Sequence, residues 1–414
     1  MNSEGITYDF VAPSRIVFGW GRRREAGSIA RGLGTRAFVV CGSRTLEQAG
    51  GLDEILESLH EAGVETVRAA TISREPLIED VDQCVAALRA ERAGAGDLLL
   101  AIGGGSAIDL AKAAAALVTQ EPAASVRDYL EGVGTGRKIV NPPLPVLAMP
   151  TTAGTGSEAT KNAVISSVDP PFKKSLRSDL MVPRAVLIDP ELAVSVPPQI
   201  TAWTGMDAIT QLIESHISLR GTPATRTIAV QGLFYALPCP TIWNTGMRKR
   251  DLAPLTEAFR DGASREARER MALAALLSGM ALANSGLGMA HGVAAALGVH
   301  CNVPHGLACA VMLPEAMRTN FEIEEISSEF DFTAMRIVGP GGFRMSGIED
   351  APQLCIERIE ALLSVLKIPR RLSQIGVKRE QIPAIVRDSR GNSMSGNPRK
   401  LSDDELTQIL EDML

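Results

Sequence analysis

No apolar run in this chain is as long as a transmembrane helix, and the opening Met-Asn-Ser-Glu-Gly has neither the basic nor the apolar stretch of a secretory signal. A cytoplasmic protein with no membrane partner is the expectation. Clustered positive charge is missing too: 42 Lys and Arg face 48 Asp and Glu, a net charge of −6, and only the short run Arg22-Arg23-Arg24 stands out. Phosphate backbones are bound by grouped Lys and Arg, so nucleic acid is excluded as the main partner and the Arg run reads as a solvated loop. The six cysteines (Cys41, Cys84, Cys239, Cys301, Cys309 and Cys355) form no CxxC and no paired spacing. That excludes a zinc ribbon and a disulfide framework and leaves reduced thiols, with Cys301 read as a small buried side chain. Histidine is scarce as well, with five copies, yet His291, His300 and His305 fall together in one Gly- and Ala-rich stretch. Imidazole is the commonest metal ligand and titrates near neutrality, so this stretch is a candidate metal or proton-transfer site. A buried structural histidine is the alternative.

At 414 residues the chain exceeds one ordinary core, and two domains are expected. From about Ile16 to Pro190, short apolar runs alternate with helical patterns, the signature of a mostly parallel sheet covered by helices. The clearest strands are Ala37 to Cys41, Leu98 to Ile102, Val146 to Met149 and Ala185 to Asp189, while Leu52 to Ala62 and Asp80 to Arg92 have helical spacing. Beyond Pro197-Pro198 the strand patterns fade and Ala-, Leu- and Met-rich helical stretches take over, as in Glu266 to Asn284 and Asp350 to Leu366. The boundary is placed near Val196, giving an α/β domain over 1–196 and an all-α domain over 197–414. Gly339-Pro-Gly-Gly342 marks a loop.

Three segments of the first half offer ligand contacts. Strand Leu98 to Ile102 runs into Gly103-Gly104-Gly105-Ser106, and Ser106 with Asp109 resembles a capping box opening the helix Leu110 to Val118. Glycines let backbone N–H groups approach a phosphate, and the helix N-terminus adds partial positive charge, so a pyrophosphate fits; a plain capped turn is the alternative. The run is not GxGxxG. The second segment, Pro150 to Glu158, brings the hydroxyls of Thr151, Thr152 and Thr155 to the carboxyl end of a strand, where α/β sheets bind ligands. The third, Gly42-Ser43-Arg44, has no acidic residue to hold a ribose diol, so Gly42 and Ser43 with Arg44 are compatible with NADP as well as NAD. In the second half, Asp207 and Gln211 are spaced i, i+4 and share one helical face.

Taken together, Gly103-Gly-Gly-Ser106-x-x-Asp109-x-x-Lys112, Thr151-Thr-Ala-Gly-Thr-Gly-Ser-Glu158, Gly205-Met-Asp207-Ala and His291 with Pro304-His305-Gly306 resemble the iron-containing, or group III, alcohol dehydrogenase family. The match runs almost the whole length, down to Asn397-Pro-Arg and a short acidic helix near the C-terminus. The resemblance implies a Rossmann-like α/β domain plus a helical domain, the architecture shared with dehydroquinate synthase. It also implies NAD or NADP, a divalent metal (iron first, zinc second), a small alcohol or aldehyde substrate, and a homo-oligomer, expected as a dimer. Carried over by position, Asp207, His291 and His305 resemble the metal and catalytic residues, with Gln211 at the fourth ligand position. Gly103, Gly104, Gly105, Ser106 and Asp109 resemble the pyrophosphate segment, Thr151, Thr152 and Thr155 the cofactor loop, and Lys173 a cofactor-contacting lysine. The chain departs from the family at three places: Gln211, where the family usually has His, Ala295, where it often has His, and Cys309, where it commonly has Asn. The implied reaction is hydride transfer between a small alcohol and NAD(P). A metal-independent reductase of the maleylacetate reductase type and a dehydroquinate synthase-like lyase are the alternatives.

Overall fold

The computed structural model describes residues 6–42, 44–48, 50–122, 124–237, 253–321 and 351–414. In the first half, strands β1 (Arg15–Phe18), β2 (Arg36–Cys41), β3 (Glu65–Thr71), β4 (Asp97–Gly103), β5 (Val146–Pro150) and β8 (Ala185–Ile188) form one parallel sheet in the order β1-β8-β5-β4-β2-β3. The four expected strands are its centre. Their apolar runs are continuous because both faces are covered: Phe38, Val40, Leu99 and Ala101 pack into one layer, and Ala37, Val39, Leu98 and Leu100 into the other. Helices α1 (Ala26–Arg31), α2 (Arg44–Gln48), α3 (Gly51–Glu61), α4 (Ile78–Ala90) and α5 (Gly105–Val118) connect the strands. An antiparallel hairpin, β6 (Asn162–Val168) with β7 (Pro171–Arg177), stands apart from the sheet.

The second half is helical: α6 (Pro198–Ile217), α7 (Pro223–Ala236), α8 (Pro254–Arg260), α9 (Arg265–Ser285), α10 (Met289–Cys301), α11 (His305–Phe321), α12 (Ala351–Val365), α13 (Ile382–Asp388) and α14 (Asp403–Asp412). Every residue of α6 from Gly205 to Ile217 is buried, so it is the axis around which the other helices pack. The two halves meet through small residues. A Cβ on Gly279 of α9 would lie 2.2 Å from the Gly156 carbonyl, so only glycine permits this approach. A small apolar cluster of Ala159, Val186, Ile188, Ala272 and Leu276 seals the same seam.

Three expectations are corrected. Arg23 is not solvated: it is 8% exposed, donates to Asp189 at 3.1 Å and Glu54 at 2.9 Å, and pairs with Glu191, because the buried Asp189 carboxylate needs a cation. Ser106 and Asp109 form no capping box, since α5 starts at Gly105 with Gly104 as an N-cap that has no side-chain bond. The Asp109 carboxylate instead accepts from the Val164 N–H at 3.0 Å and pairs with Lys112 at 3.2 Å. Cys301 is half-buried, while Cys41, Cys84, Cys309 and Cys355 are buried, and all five are free. Ser43, Cys239 and the loop at 339–342 lie outside the described residues. Among the described residues no single helix is long and apolar enough to cross a membrane.

Candidate active site

At the carboxyl end of the sheet, the cofactor segments converge through their lack of side chains. Gly103 has φ +156, and a Cβ there would sit 2.7 Å from the Ala107 methyl. Gly42, at the end of β2, packs against the same Ala107, and a Cβ on Gly105 would be 2.8 Å from the Thr155 side chain. The Thr151 N–H donates to the Gly103 carbonyl at 2.9 Å, which fastens the threonine loop to the glycine turn. Without a side-chain cap, the first N–H groups of α5 remain outside its own ladder, and that is the donor set an anion such as a pyrophosphate needs. Lys112 is held elsewhere: its buried ammonium donates to the Ser157 carbonyl at 2.8 Å, to Thr160 Oγ1 at 2.9 Å and to the Asn162 carbonyl, tying α5 to the loop. Asp109 is likewise turned to Lys112 and Val164, away from the glycine turn.

Across the cleft, the structure brings together Asp207 from α6, His291 from α10 and His305 from α11. His291 Nε2 lies 3.2 Å and His305 Nε2 3.8 Å from Asp207 Oδ1, with the two rings 5.5 Å apart. A fourth donor joins them. Cys309, one turn beyond His305, places its sulfur 3.7 Å from His305 Nε2, and one donor atom from each of the four residues lies within 4.8 Å of the rest. Gly306 lets α11 enter so close, because a Cβ there would lie 2.3 Å from the Trp203 carbonyl of α6. Gln211 sits apart: its Oε1 accepts from Ser278 Oγ at 2.7 Å and its Nε2 donates to the Thr155 carbonyl at 3.4 Å. His300 is outside the cluster and pairs with Asp388 at 2.7 Å. Lys173, on β7, pairs with Glu75, and its charge reaches His305.

Behind the cluster stands Glu214, which sequence reasoning missed although it lies seven residues, two helical turns, beyond Asp207. Its buried carboxylate accepts from the N–H groups of Gly288 at 3.0 Å and Ala290 at 2.6 Å, and contacts His291 Nδ1 at 2.6 Å. The anion therefore caps the N-terminus of α10 and fixes the ring, turning Nε2 toward Asp207. Asn397 completes the cap by accepting from the Met289 N–H at 3.0 Å, which accounts for the C-terminal Asn-Pro-Arg motif.

Burial and charge perturb these groups together. Burial pushes the Cys309 thiol up to about 12 and, with Lys173, lowers His305 well below its ordinary value. Burial also disfavours the His291 cation, but Cys309, Asp207 and Glu214 outweigh it and raise that pKa. Asp207 is held below the usual carboxylate range despite burial, through His291 and His305. Two buried carboxylates flanking one imidazole invite a cation. With carboxylate, imidazole and sulfur donor atoms all within 4.8 Å of one another, this donor set fits a divalent metal.

A parallel sheet with a glycine turn faces a helical cluster of ligating side chains, the arrangement of an enzyme that holds a nucleotide and a metal ion side by side. Residues 13–190 match the iron-containing alcohol dehydrogenase pattern, and residues 252–414 match the C-terminal pattern of the Fe-containing alcohol dehydrogenase family. The chain is 30% identical over 400 residues to sulfoacetaldehyde reductase of Bilophila wadsworthia, covering 96% of both chains. It is 30% identical over 407 residues to 1,3-propanediol dehydrogenase of Citrobacter freundii, covering 97% of both. Among solved structures, a 1,3-propanediol oxidoreductase superposes with TM-score 0.87 at 29% identity, over 99% of this chain and 100% of that one. A sulfoacetaldehyde reductase from Bifidobacterium kashiwanohense in complex with NAD+ gives 0.80 at 28% identity, over 99% of each. The chain belongs to the iron-containing alcohol dehydrogenase family, and it is an oxidoreductase acting on CH–OH groups.

Proposed function

We propose that this enzyme interconverts a small alcohol and its aldehyde or ketone with NAD or NADP, using a divalent ion held by Asp207, His291 and His305. One observation carries the reading: the cofactor turn and the ligating cluster form a continuous wall. Gly105 packs on Thr155, the Thr155 carbonyl meets Gln211, and Gln211 is one turn from Asp207 on α6. When bound, the ion supplies Lewis acidity to the substrate oxygen and the nicotinamide supplies the hydride acceptor.

The chain's own residues do the positioning. Gly103, Gly104, Gly105 and Ser106 at the start of α5 receive the pyrophosphate, while the hydroxyls of Thr151, Thr152 and Thr155 orient the cofactor. Glu214 keeps His291 in one tautomer, so Nε2 faces the cleft as a donor. Burial, with the nearby charge of Lys173, holds His305 neutral. The helical half faces the carboxyl end of the sheet and excludes water from the reacting atoms.

Relatives named for sulfoacetaldehyde, choline, 1,3-propanediol and long-chain alcohols differ in the size and polarity of the substrate and support the alcohol–carbonyl couple they share. We further place the enzyme in the cytoplasm as a homodimer, with 1–196 and 197–414 as its two domains. Free thiols support the first point. Exposed Ile6, Tyr8 and Phe10 in the segment before edge strand β1, with Ile16 on the strand, support the second. Initial rates with short alcohols and aldehydes against NAD and NADP, before and after chelation, test the reading. Alcohol-dependent formation of reduced cofactor that disappears on chelation is expected. Undiminished turnover by chelated enzyme refutes the metal and points to the metal-independent reductase.

A further inference from the structure

Four residues along α6 from Asp207, where the family usually carries histidine, this chain has Gln211. Its amide is committed at both ends, accepting from Ser278 Oγ at 2.7 Å and donating to the Thr155 carbonyl at 3.4 Å. Ser278 is fully buried on α9, where its hydroxyl lies between Gln211 Oε1 and the Ala275 carbonyl, the latter at 2.8 Å, so drawing the Gln211 oxygen toward an ion breaks the Ser278 contact and pulls the amide from the Thr155 carbonyl. Cys309 stands on the other side of the cluster, itself fully buried, with no comparable commitment beyond the cluster. The spacing of the donors also suits one ion. Tetrahedral bonds to zinc separate nitrogen from oxygen by roughly 3.4 Å and sulfur from nitrogen by roughly 3.6 Å. Here the nitrogen to oxygen distances are 3.2 and 3.8 Å, and the sulfur to nitrogen distance is 3.7 Å.

We propose that the sulfur of Cys309, in place of the Gln211 amide, completes an Asp, His, His, Cys ligand set with Asp207, His291 and His305. The proposal rests on the metal reading above and sharpens it. As the sulfur–metal bond forms, the S–H bond breaks and its proton leaves to solvent. A thiolate is soft and anionic, so this set selects zinc or cobalt over magnesium and manganese, and holds zinc more tightly than ferrous iron. The loss of the usual histidine at 211 and the change from Asn to Cys at 309 thus become one exchange across the site.

Cobalt titration of the metal-stripped, full-length protein tests this. One equivalent is expected to bind with a near-ultraviolet sulfur-to-cobalt charge-transfer band. Cys309→Ser should lose the band and weaken cobalt binding by about tenfold or more, whereas Gln211→Ala should keep the band and bind within about threefold of the parent. Cobalt bound by the parent without that band overturns the proposal, and this needs no variant to fold. A band that survives in Cys309→Ser but vanishes in Gln211→Ala overturns it too. Failure of the metal reading looks different: no cobalt uptake by the parent, or uptake indifferent to His291→Ala, removes the site altogether.

Discussion

In the sheet half, the cleft wall is made of backbone: Gly42, Gly103 and Gly105 matter because they have no side chain, and α5 offers N–H groups that any sequence would carry. In the helical half, the wall is made of side chains, with Asp207, His291, His305 and Cys309 reaching one point from α6, α10 and α11. The three positions read as departures from the family pattern, Gln211, Ala295 and Cys309, fall in the second half. A backbone cradle binds the part of the reaction shared by the whole family, and leaves little to vary except by adding a clash. A cage of side chains can exchange one donor for another while the helices stay in place. Chemical individuality therefore belongs to the helical half.

Substitutions that strike one half and spare the other test this division. The largest effect is expected from Asp207→Asn, which keeps the shape but removes the only anionic oxygen inside the cluster. Steady-state kinetics should show kcat/KM falling roughly a thousandfold, about 4 kcal/mol. Cofactor affinity, followed by fluorescence of the reduced nucleotide, should stay within about twofold because the two sites share no ligand. If both collapse together, the halves are not separable. Glu214→Gln comes next. With the charge behind His291 gone, metal affinity measured by competition with a chromophoric chelator should drop by about 10–100-fold.

Gly105→Val is the mirror image. The added branches collide with Thr155, so the nucleotide dissociation constant should rise roughly tenfold, about 1.4 kcal/mol, while metal content by elemental analysis is unchanged. Loss of metal from this variant would break the comparison from the other side. The smallest effect is expected from His300→Ala. Its partner Asp388 has a lowered pKa, with burial opposing and Arg387 and His300 favouring the anion. The stabilisation from that pair is thus present above the ordinary carboxylate pKa and lost as pH falls through the lower, folded value. At neutral pH the variant should lose no more than about 0.5 kcal/mol in denaturant unfolding, with metal content intact.

The same division decided what could be read from sequence. Strands such as β4 are buried on both faces, so Leu98 to Ile102 shows as an unbroken apolar run with the glycine turn at its end. The hairpin β6 and β7 was not legible, because Ser166, Ser167, Lys173 and Lys174 dilute its pattern and it lies off the sheet. Asp207, His291 and His305 were marked by spacing together with family resemblance. Glu214 was not, though it repeats the face of Asp207 two turns on, because an acid inside an apolar helix has no visible partner until α10 is seen ending on it. Cys309 was noticed only as a missing Asn. Its proximity to Asp207 and His291 comes from helix packing around Gly306, which spacing along the chain does not encode. Arg23 misled for the same reason, since its partner Asp189 is far away in sequence.

The central claim is that the helical half supplies a metal on which turnover depends, while the sheet half binds the cofactor without it. Metal content, nucleotide binding and turnover measured side by side on one preparation each of the parent and His291→Ala test it most directly. The account predicts one equivalent of divalent metal and full turnover in the parent, and in the variant neither metal nor turnover but unchanged nucleotide binding. Turnover by a metal-free His291→Ala enzyme would contradict it.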